Sequence, residues 1–211
     1  MASNTINPVT NRPSFTSISY SEIEPELDRL LSKAREQVVG LCKNAPLTWN
    51  GFMEPSEELH DEISKFWSPI SHLNSVLNSD ELREAYTVCL PKLSEYYTEL
   101  GQNSAFYEKT LALKDTAEYA TLSKAQKKTI ENSLRDFKLS GVALPEKSKK
   151  RFMEISLRLS ELQNKFSENV LDTTNAWEKL ISDESELDGI PEHAKNAAKE
   201  RAEKQIKRVG Y

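Results

Sequence analysis

The stretch LPEKSKKRFMEISLRLSELQNKFSENVLDTTNAWEKLI, residues 144–181, predicts one long helix that decides the fold. It contains no glycine, and its single proline, Pro145, stands where a first helical turn tolerates a missing N–H. Apolar residues recur along it at three- and four-residue steps, with a longer last gap, as on one helix face. These are Phe152, Ile155, Leu159, Leu162, Phe166, Val170 and Trp177, widened on one flank by Met153, Leu157 and Leu171.

We therefore expect a spine helix over about 145–181 that packs this stripe against the helices before it. Such a helix is about 50 Å long at 1.5 Å per residue, more than a compact domain of this size needs. The excess length suggests that the spine helix belongs to a larger assembly.

The composition favours an all-α fold. Only six of the 211 residues are glycine and nine are proline, too few turn residues for a many-stranded sheet. We expect an elongated multi-helix bundle built around the spine helix.

The order of apolar patterns and breaks indicates one domain. Residues 1–20 are polar, rich in Asn, Thr and Ser, and predict an extended or partly disordered arm, pinned at its end by Phe15, Ile18 and Tyr20. Residues 21–211 predict a single helical domain without internal repeats. Two capping-box patterns, Ser21 with Glu24 and Ser123 with Gln126, predict helix starts.

Prolines and a glycine interrupt the helical pattern of the first half. The segment 43–55 predicts a loop in which Trp49, Phe52 and Met53 plug the edge of the core. Pro69 predicts the end or a kink of the second helix, and Pro91 a kink in the third, whose apolar period continues through it.

Charge and cysteine usage limit the partners and the compartment. A net charge of −5 gives no basic surface for nucleic acid. No window approaches a membrane span, and the N-terminus does not have the pattern of a signal peptide, which predicts the cytoplasm. Cys42 and Cys89 lie in apolar helical segments, and we interpret them as core residues rather than a disulfide.

No catalytic residue or metal ligand can be nominated. The three histidines, His60, His72 and His193, have no second His or Cys at ligand spacing, and HDEIS at His60 lacks the second imidazole of an HExxH motif. A nucleophile elbow and a glycine-rich phosphate loop are also missing from the sequence.

One polar cluster stands out in SPISHLNSV, residues 68–76. It centres on Ser71, His72 and Asn74, with Ser68 and Ser75 beside them. These side chains either cap and bridge two helices or form a polar wall that faces a cleft.

Two segments, residues 68–86 and 120–181, resemble the N-terminal region of the M3 (thimet oligopeptidase-like) zinc metallopeptidases. The runs LRDFKLSGVALP, residues 134–145, and RLSELQNKFSENVLD, residues 158–172, are its most specific parts. The similarity extends from about residue 18 to residue 211.

The resemblance implies a helical domain that forms one wall of a deep channel, which admits short peptides. In that family a later domain carries the zinc site, an HExxH helix and a downstream Glu, beyond the segment matched here. No zinc-binding or catalytic residue can be carried over. We therefore expect this chain alone to be inactive, with no cofactor of its own and zinc bound only in the full-length family members.

Two further expectations follow. Apolar surface that the rest of such an enzyme would cover should remain exposed, so this chain should self-associate. The alternative function is an independent helical module that binds a partner protein or an extended peptide.

Overall fold

In the computed structural model the described residues are 6–7, 12–13, 15 and 18–209, with side chains described at 15 and over 18–204. They divide into two compact units, residues 1–165 and 166–211. The predicted single domain over 21–211 spans both units and stays a prediction. No helix in these ranges is long and apolar enough to cross a membrane.

The all-α class is confirmed. Over the described residues eight α-helices follow one another: α1 (Ile23–Asn44), α2 (Glu54–Val76), α3 (Asp80–Gly101), α4 (Ser104–Leu113), α5 (Ala117–Thr121), α6 (Lys124–Leu139), α7 (Glu146–Ala176) and α8 (Glu192–Val209). Short 3₁₀ turns cover Tyr20–Glu22 and Glu184–Leu187, and a π turn, Trp49–Met53, leads directly into α2. Strands β1 (Ile6–Asn7) and β2 (Arg12–Pro13) form a two-residue antiparallel ladder.

The core of the first unit lies where α1, α2 and α3 pack on one another and where α4 packs on α6. One apolar face of α1 is buried along most of its length: Ile23, Leu27, Leu30, Leu31, Ala34 and Val38. Phe52 and Met53 are also buried, which confirms that they plug the core, although they do so from the π turn rather than from a loop. Phe106 joins these parts, with edge-to-face contacts to Phe52 and Phe137 at centroid distances of 5.0 and 5.4 Å.

Both interior prolines lie inside helices that continue past them. α2 runs through Pro69, and α3 runs through Pro91. An end of the second helix at Pro69 is therefore wrong, whereas the alternative kink at Pro69 and the kink at Pro91 stay predictions. The side chain of Pro69 is buried, and Ile70 beside it is fully buried. Packing of this segment offsets the backbone hydrogen bond that proline removes.

Lys109 of α4 closes the end of α1. Its ammonium donates hydrogen bonds to the carbonyls of Leu41, Cys42 and Ala45 at 2.7, 3.3 and 2.6 Å. It also lies 5.2 Å from the ring centroid of Phe52. A cation at a helix C-terminus satisfies carbonyls that lack partners within the helix and opposes the negative end of its dipole.

Side-chain caps begin four of the helices. Ser79, Asn103, Thr116 and Ser123 each accept a hydrogen bond from a backbone N–H of the first turn, and Ser123 with Gln126 forms the predicted capping box. The capping box predicted at Ser21 is wrong, because the 3₁₀ turn over Tyr20–Glu22 carries the chain into α1 without a side-chain cap.

A Schellman motif ends α6 and directs the chain toward α7. The N–H of Val142 donates to the carbonyl of Phe137, and that of Gly141 to the carbonyl of Lys138, both at 3.1 Å. Gly141 adopts φ +83°, and a Cβ there would meet Leu144 at 2.5 Å. A side chain at this position would therefore be strained, which favours glycine.

The spine helix is shorter than predicted. The sequence predicts about 145–181, but α7 ends at Ala176, and residues 177–183 are not helical. The segment before the end, Asp172–Asn175, consists of residues with weak helix propensity, which accounts for the early end.

The second unit consists of the end of α7, the turn over Glu184–Leu187 and α8. Ion pairs within it join Lys179 to Glu186 at 3.2 Å and Arg201 to Glu178 at 3.7 Å. Asp183 accepts a hydrogen bond from the backbone N–H of Ser185, which lowers the pKa of its carboxyl.

Candidate functional site

The predicted polar cluster lies in the last two turns of α2. His72 is exposed, and Ser71 and Asn74 are half-buried. The carbonyl of Ser71 accepts a hydrogen bond from the hydroxyl of Ser75 at 3.0 Å, and the carbonyl of Asn74 accepts one from the side-chain amide of Asn78 at 2.8 Å. These contacts tie the cluster to the end of its own helix.

Two features around this cluster restrain the helix end. Asn78 adopts a left-handed conformation, φ 48°, and its side-chain oxygen accepts from the guanidinium of Arg83. The ring of Phe15 lies 5.5 Å from that of His72, in agreement with the predicted role of Phe15 in pinning the arm. The side-chain oxygen of Asn74 is buried without a hydrogen-bond partner. That Ser71, His72 and Asn74 face a substrate channel stays a prediction.

No group of three or more His, Cys, Asp or Glu side chains comes together within the described ranges. Nδ1 of His60 lies 2.8 Å from the carbonyl of Ser56, and its ring stacks on Tyr97. The residues described here therefore do not fit a zinc ion, and we derive no catalytic step through one.

Both cysteines are free, and both thiols are disfavoured as nucleophiles. Burial raises the pKa of Cys89 to about 12 and also raises the pKa of Cys42. A thiol needs its thiolate form to attack, so these two side chains are protonated core groups at neutral pH. The interpretation of the cysteines as core residues agrees with this geometry.

The most distinctive surface is an apolar face of α7. Ile155, Leu159 and Leu162, which we call the α7 stripe, are 44%, 52% and 44% exposed. The prediction that these residues pack against the preceding helices is wrong. In the second unit, Phe166 and Val170 follow at the same spacing and are 69% and 50% exposed.

The opposite side of α7 makes the contacts with α3. The hydroxyl of Ser160 accepts a hydrogen bond from the hydroxyl of Ser94 at 2.8 Å, and the side-chain amide of Asn164 donates one to the hydroxyl of Thr87 at 3.2 Å. At about 100° per residue, Ser160 and Asn164 lie about 140° and 180° around the helix from Ile155. Since they contact α3, the α7 stripe faces away from it.

The sequence contained a signal for this orientation. Met153 and Leu157, interpreted as a flank of the stripe, share the side of Ser160 and Asn164 and are half-buried. The side of α7 that packs against α3 thus combines apolar residues with hydroxyl and amide residues. The more apolar face is the one that this chain leaves exposed, and an exposed apolar face of this kind marks a contact surface.

Comparison with known proteins gives a consistent family. The sequence model of the Neurolysin/Thimet oligopeptidase, N-terminal domain, matches residues 27–151. Oligopeptidase A of Haemophilus influenzae is 50% identical over 200 residues, which cover 93% of this chain and 29% of that protein. Oligopeptidase A of Escherichia coli is 48% identical over 192 residues, covering 90% of this chain and 28% of that protein.

A plant relative is more distant. The probable cytosolic oligopeptidase A of Arabidopsis thaliana is 33% identical over 182 residues, 86% of this chain and 26% of that protein. The chain thus spans less than a third of the length of these curated relatives.

Proposed function

Because this chain belongs to the neurolysin/thimet oligopeptidase family of M3 peptidases and corresponds to the N-terminal region of oligopeptidase A, we propose that it works as the N-terminal helical domain of a zinc oligopeptidase. The substrates of that enzyme are short peptides, and its compartment is the cytoplasm. In this proposal the helical domain forms one wall of the substrate channel, to which Ser71, His72 and Asn74 contribute polar groups.

The single observation that carries the proposal is the exposed α7 stripe in a chain that matches only the first part of much longer relatives. Oligopeptidase A of H. influenzae has more than two thirds of its length outside the matched segment. That remainder is the occupant that we assign to the α7 stripe. Burial of three leucine-sized side chains would contribute several kcal/mol to the docking of the two parts, at about 25 cal/mol per Å².

Catalysis and zinc binding belong to that remainder in this proposal. The 211 residues contain no HExxH motif, and the described residues bring no metal-binding group together. The role of this chain is to exclude and admit substrates by shape, which requires a rigid wall rather than reactive side chains. We expect the purified 211-residue chain to hydrolyse no quenched fluorescent peptide, with or without added zinc.

Complementation tests the proposal. The chain is mixed with a fragment of H. influenzae oligopeptidase A that begins after the matched segment, and zinc-dependent cleavage of a short peptide is measured. We expect the mixture to be active and each part alone to be inactive. Leu159→Glu in the α7 stripe should abolish complementation, whereas Val39→Glu on α1, at a residue of similar exposure, should leave it unchanged.

Two results would contradict the proposal. Peptide hydrolysis by the pure chain that a chelator abolishes would assign catalysis to this chain. Equal loss of complementation in the Leu159→Glu and Val39→Glu variants would remove the α7 stripe as the docking surface. Failure of complementation together with an unrelated coding sequence after codon 211 would favour the alternative function, an independent module that binds a partner protein or an extended peptide.

The isolated chain should also self-associate, because the α7 stripe would then be covered by a second copy. Sedimentation velocity over a wide concentration range should show dimers or larger species that Leu159→Glu reduces and Val39→Glu does not. A monomer at every concentration would contradict self-association without affecting the complementation result.

A further inference from the structure

A groove of about 450 Å³ lies between α4 and α6 in the first unit, apart from the α7 stripe. Its lining includes two leucines that the fold leaves exposed: Leu111 is 43% exposed and Leu139 is 71% exposed. The edge-to-face contacts of Phe137 with Phe106 and Tyr107 hold the two helices together along the inner side of the groove. The groove is therefore a formed surface between two packed helices rather than a gap between moving parts.

Three cations border this groove: Lys114, Arg135 and Lys138. Lys114 and Lys138 form no ion pair with any side chain in the described ranges. The cation Arg135 contacts its neighbour Asp136 at 2.9 Å. The lone acid of the groove lining, Glu131, faces Lys128 at 3.8 Å.

The surrounding segment has a charge opposite to that of the whole chain. Helix α6, residues 124–139, contains five basic and two acidic residues, whereas the complete chain has a net charge of −5. The α6 wall of the groove, which carries Leu139, therefore has a net positive charge. Exposed leucines bordered mainly by cations are complementary to an amphipathic segment whose flanks are acidic.

We propose that the groove between α4 and α6 binds an acidic amphipathic helix of a partner protein. The two walls are helices, and a third helix fits between them by placing apolar side chains on Leu111 and Leu139. α4 has ten residues and is about 15 Å long, which matches two to three turns of the bound helix. Carboxylates on both flanks of that helix would lie near Lys114, Arg135 and Lys138.

Binding of a designed probe tests this proposal. The probe is a fluorescein-labelled helical peptide with two leucines one turn apart and glutamates on both flanks, and fluorescence anisotropy with the 211-residue chain measures its affinity. We expect micromolar binding that weakens as the salt concentration rises. Replacing the two leucines of the probe by serine should abolish binding.

Matched variants separate the groove from general attraction to a basic surface. The double variant Lys114→Gln/Lys138→Gln should weaken binding about fivefold or more, whereas Lys147→Gln/Lys150→Gln, an equal charge change outside the groove, should have a clearly smaller effect. Leu139→Ser should weaken binding, and Val39→Ser, on exposed α1 surface, should not. Circular dichroism melts establish that each variant is folded.

Three outcomes would overturn the proposal: no saturable binding, equal loss in the two lysine double variants, or retained binding of the serine probe. A loss of self-association in Leu139→Ser would also overturn it, since a second copy of this chain would then be the occupant of the groove. None of these results depends on complementation, so the groove and the proposed function can fail separately.

Discussion

Helices α1 and α7 carry apolar residues at the same three- and four-residue spacing, but their apolar faces have different surroundings. On α1, Ile23, Leu27 and Leu31 are at most 2% exposed, because α2 and α3 pack against them. On α7, the α7 stripe is about half exposed and none of the helix's residues is buried. The comparison shows that amphipathicity identifies a face that needs a partner, whereas the identity of the partner depends on the rest of the protein.

The energetic side of this comparison follows from burial. Removing a fully buried phenylalanine forfeits its transfer free energy and leaves a cavity, while removing an exposed one forfeits neither. The four predictions below test this difference between α1–α6 and α7, beginning with the largest effect.

Phe106→Ala should destabilise the protein by about 3–5 kcal/mol, because Phe106 is 3% exposed and packs on Phe52 and Phe137. The matched variant Phe166→Ala on α7 should change the free energy of unfolding by less than about 0.5 kcal/mol. Urea unfolding followed by circular dichroism measures both. Similar losses in the two variants would mean that Phe166 is packed as tightly as Phe106, and the comparison would fail.

Lys109→Met should destabilise the protein by about 2 kcal/mol, since it leaves the carbonyls at the end of α1 without their cap. Lys150→Met, at an exposed lysine in the first turns of α7, should be nearly neutral. The same urea experiment tests the pair. An undiminished stability of Lys109→Met would show that water satisfies these carbonyls equally well.

The pH dependence of stability should reveal the buried thiol of Cys89. Burial raises its folded-state pKa to about 12 from the ordinary 9.0, so the unfolded chain loses the proton first. The stabilising contribution of the neutral thiol is complete below about pH 9 and is lost as the pH rises toward 12. Between pH 8 and pH 10 the free energy of unfolding of the unsubstituted protein should fall by about 1 kcal/mol more than that of Cys89→Ala.

Cys42→Ala provides the reference for this pH experiment. Because Cys42 is only half-buried, the pH dependence of the unfolding free energy of Cys42→Ala should differ less from that of the unsubstituted protein. Urea midpoints at both pH values give the measurement. Parallel losses in the native protein and Cys89→Ala would indicate that water reaches the thiol of Cys89.

Ser160→Ala should have the smallest effect, about 0.5–1 kcal/mol, through loss of its hydrogen bond with Ser94. Ser156→Ala, one turn earlier and without a side-chain hydrogen bond in the described structure, should be neutral. A double-mutant cycle with Ser94→Ala isolates the contact. A coupling energy of zero would mean that these two hydroxyls do not hold α7 against α3.

The sequence was sufficient for features that depend on neighbouring residues. The capping box at Ser123 and Gln126 follows from spacing and side-chain chemistry within one turn. Family membership followed from runs such as residues 134–145. The start of α1 was predicted less well, because a 3₁₀ turn and a side-chain cap satisfy the same backbone groups and local spacing does not separate them.

The orientation of α7 could not be predicted from its own pattern. The most apolar face was assigned to the nearest core, but Ser94 and Thr87 lie 66 and 77 positions from their partners in sequence, and only the folded chain shows that they meet. The end of α7 was misplaced for a related reason, since Trp177 and Leu180 suggested a continuing face where Thr173 and Thr174 weaken the helix. The polar cluster at Ser71, His72 and Asn74 lies on α2, beyond the proline at which the sequence predicted an end or a kink of that helix. Its role requires the part of the enzyme that we propose to lie opposite.

The contact of Lys109 with the end of α1 also has a consequence for the order of synthesis. The carbonyls that Lys109 binds belong to residues 64–68 positions earlier in the chain. At about 5–20 residues per second, the ribosome completes α1 roughly 3–13 s before it adds this lysine. During that interval the last turn of α1 lacks this cap, so nascent chains arrested before residue 109 should have a more frayed helix end than the released 211-residue chain.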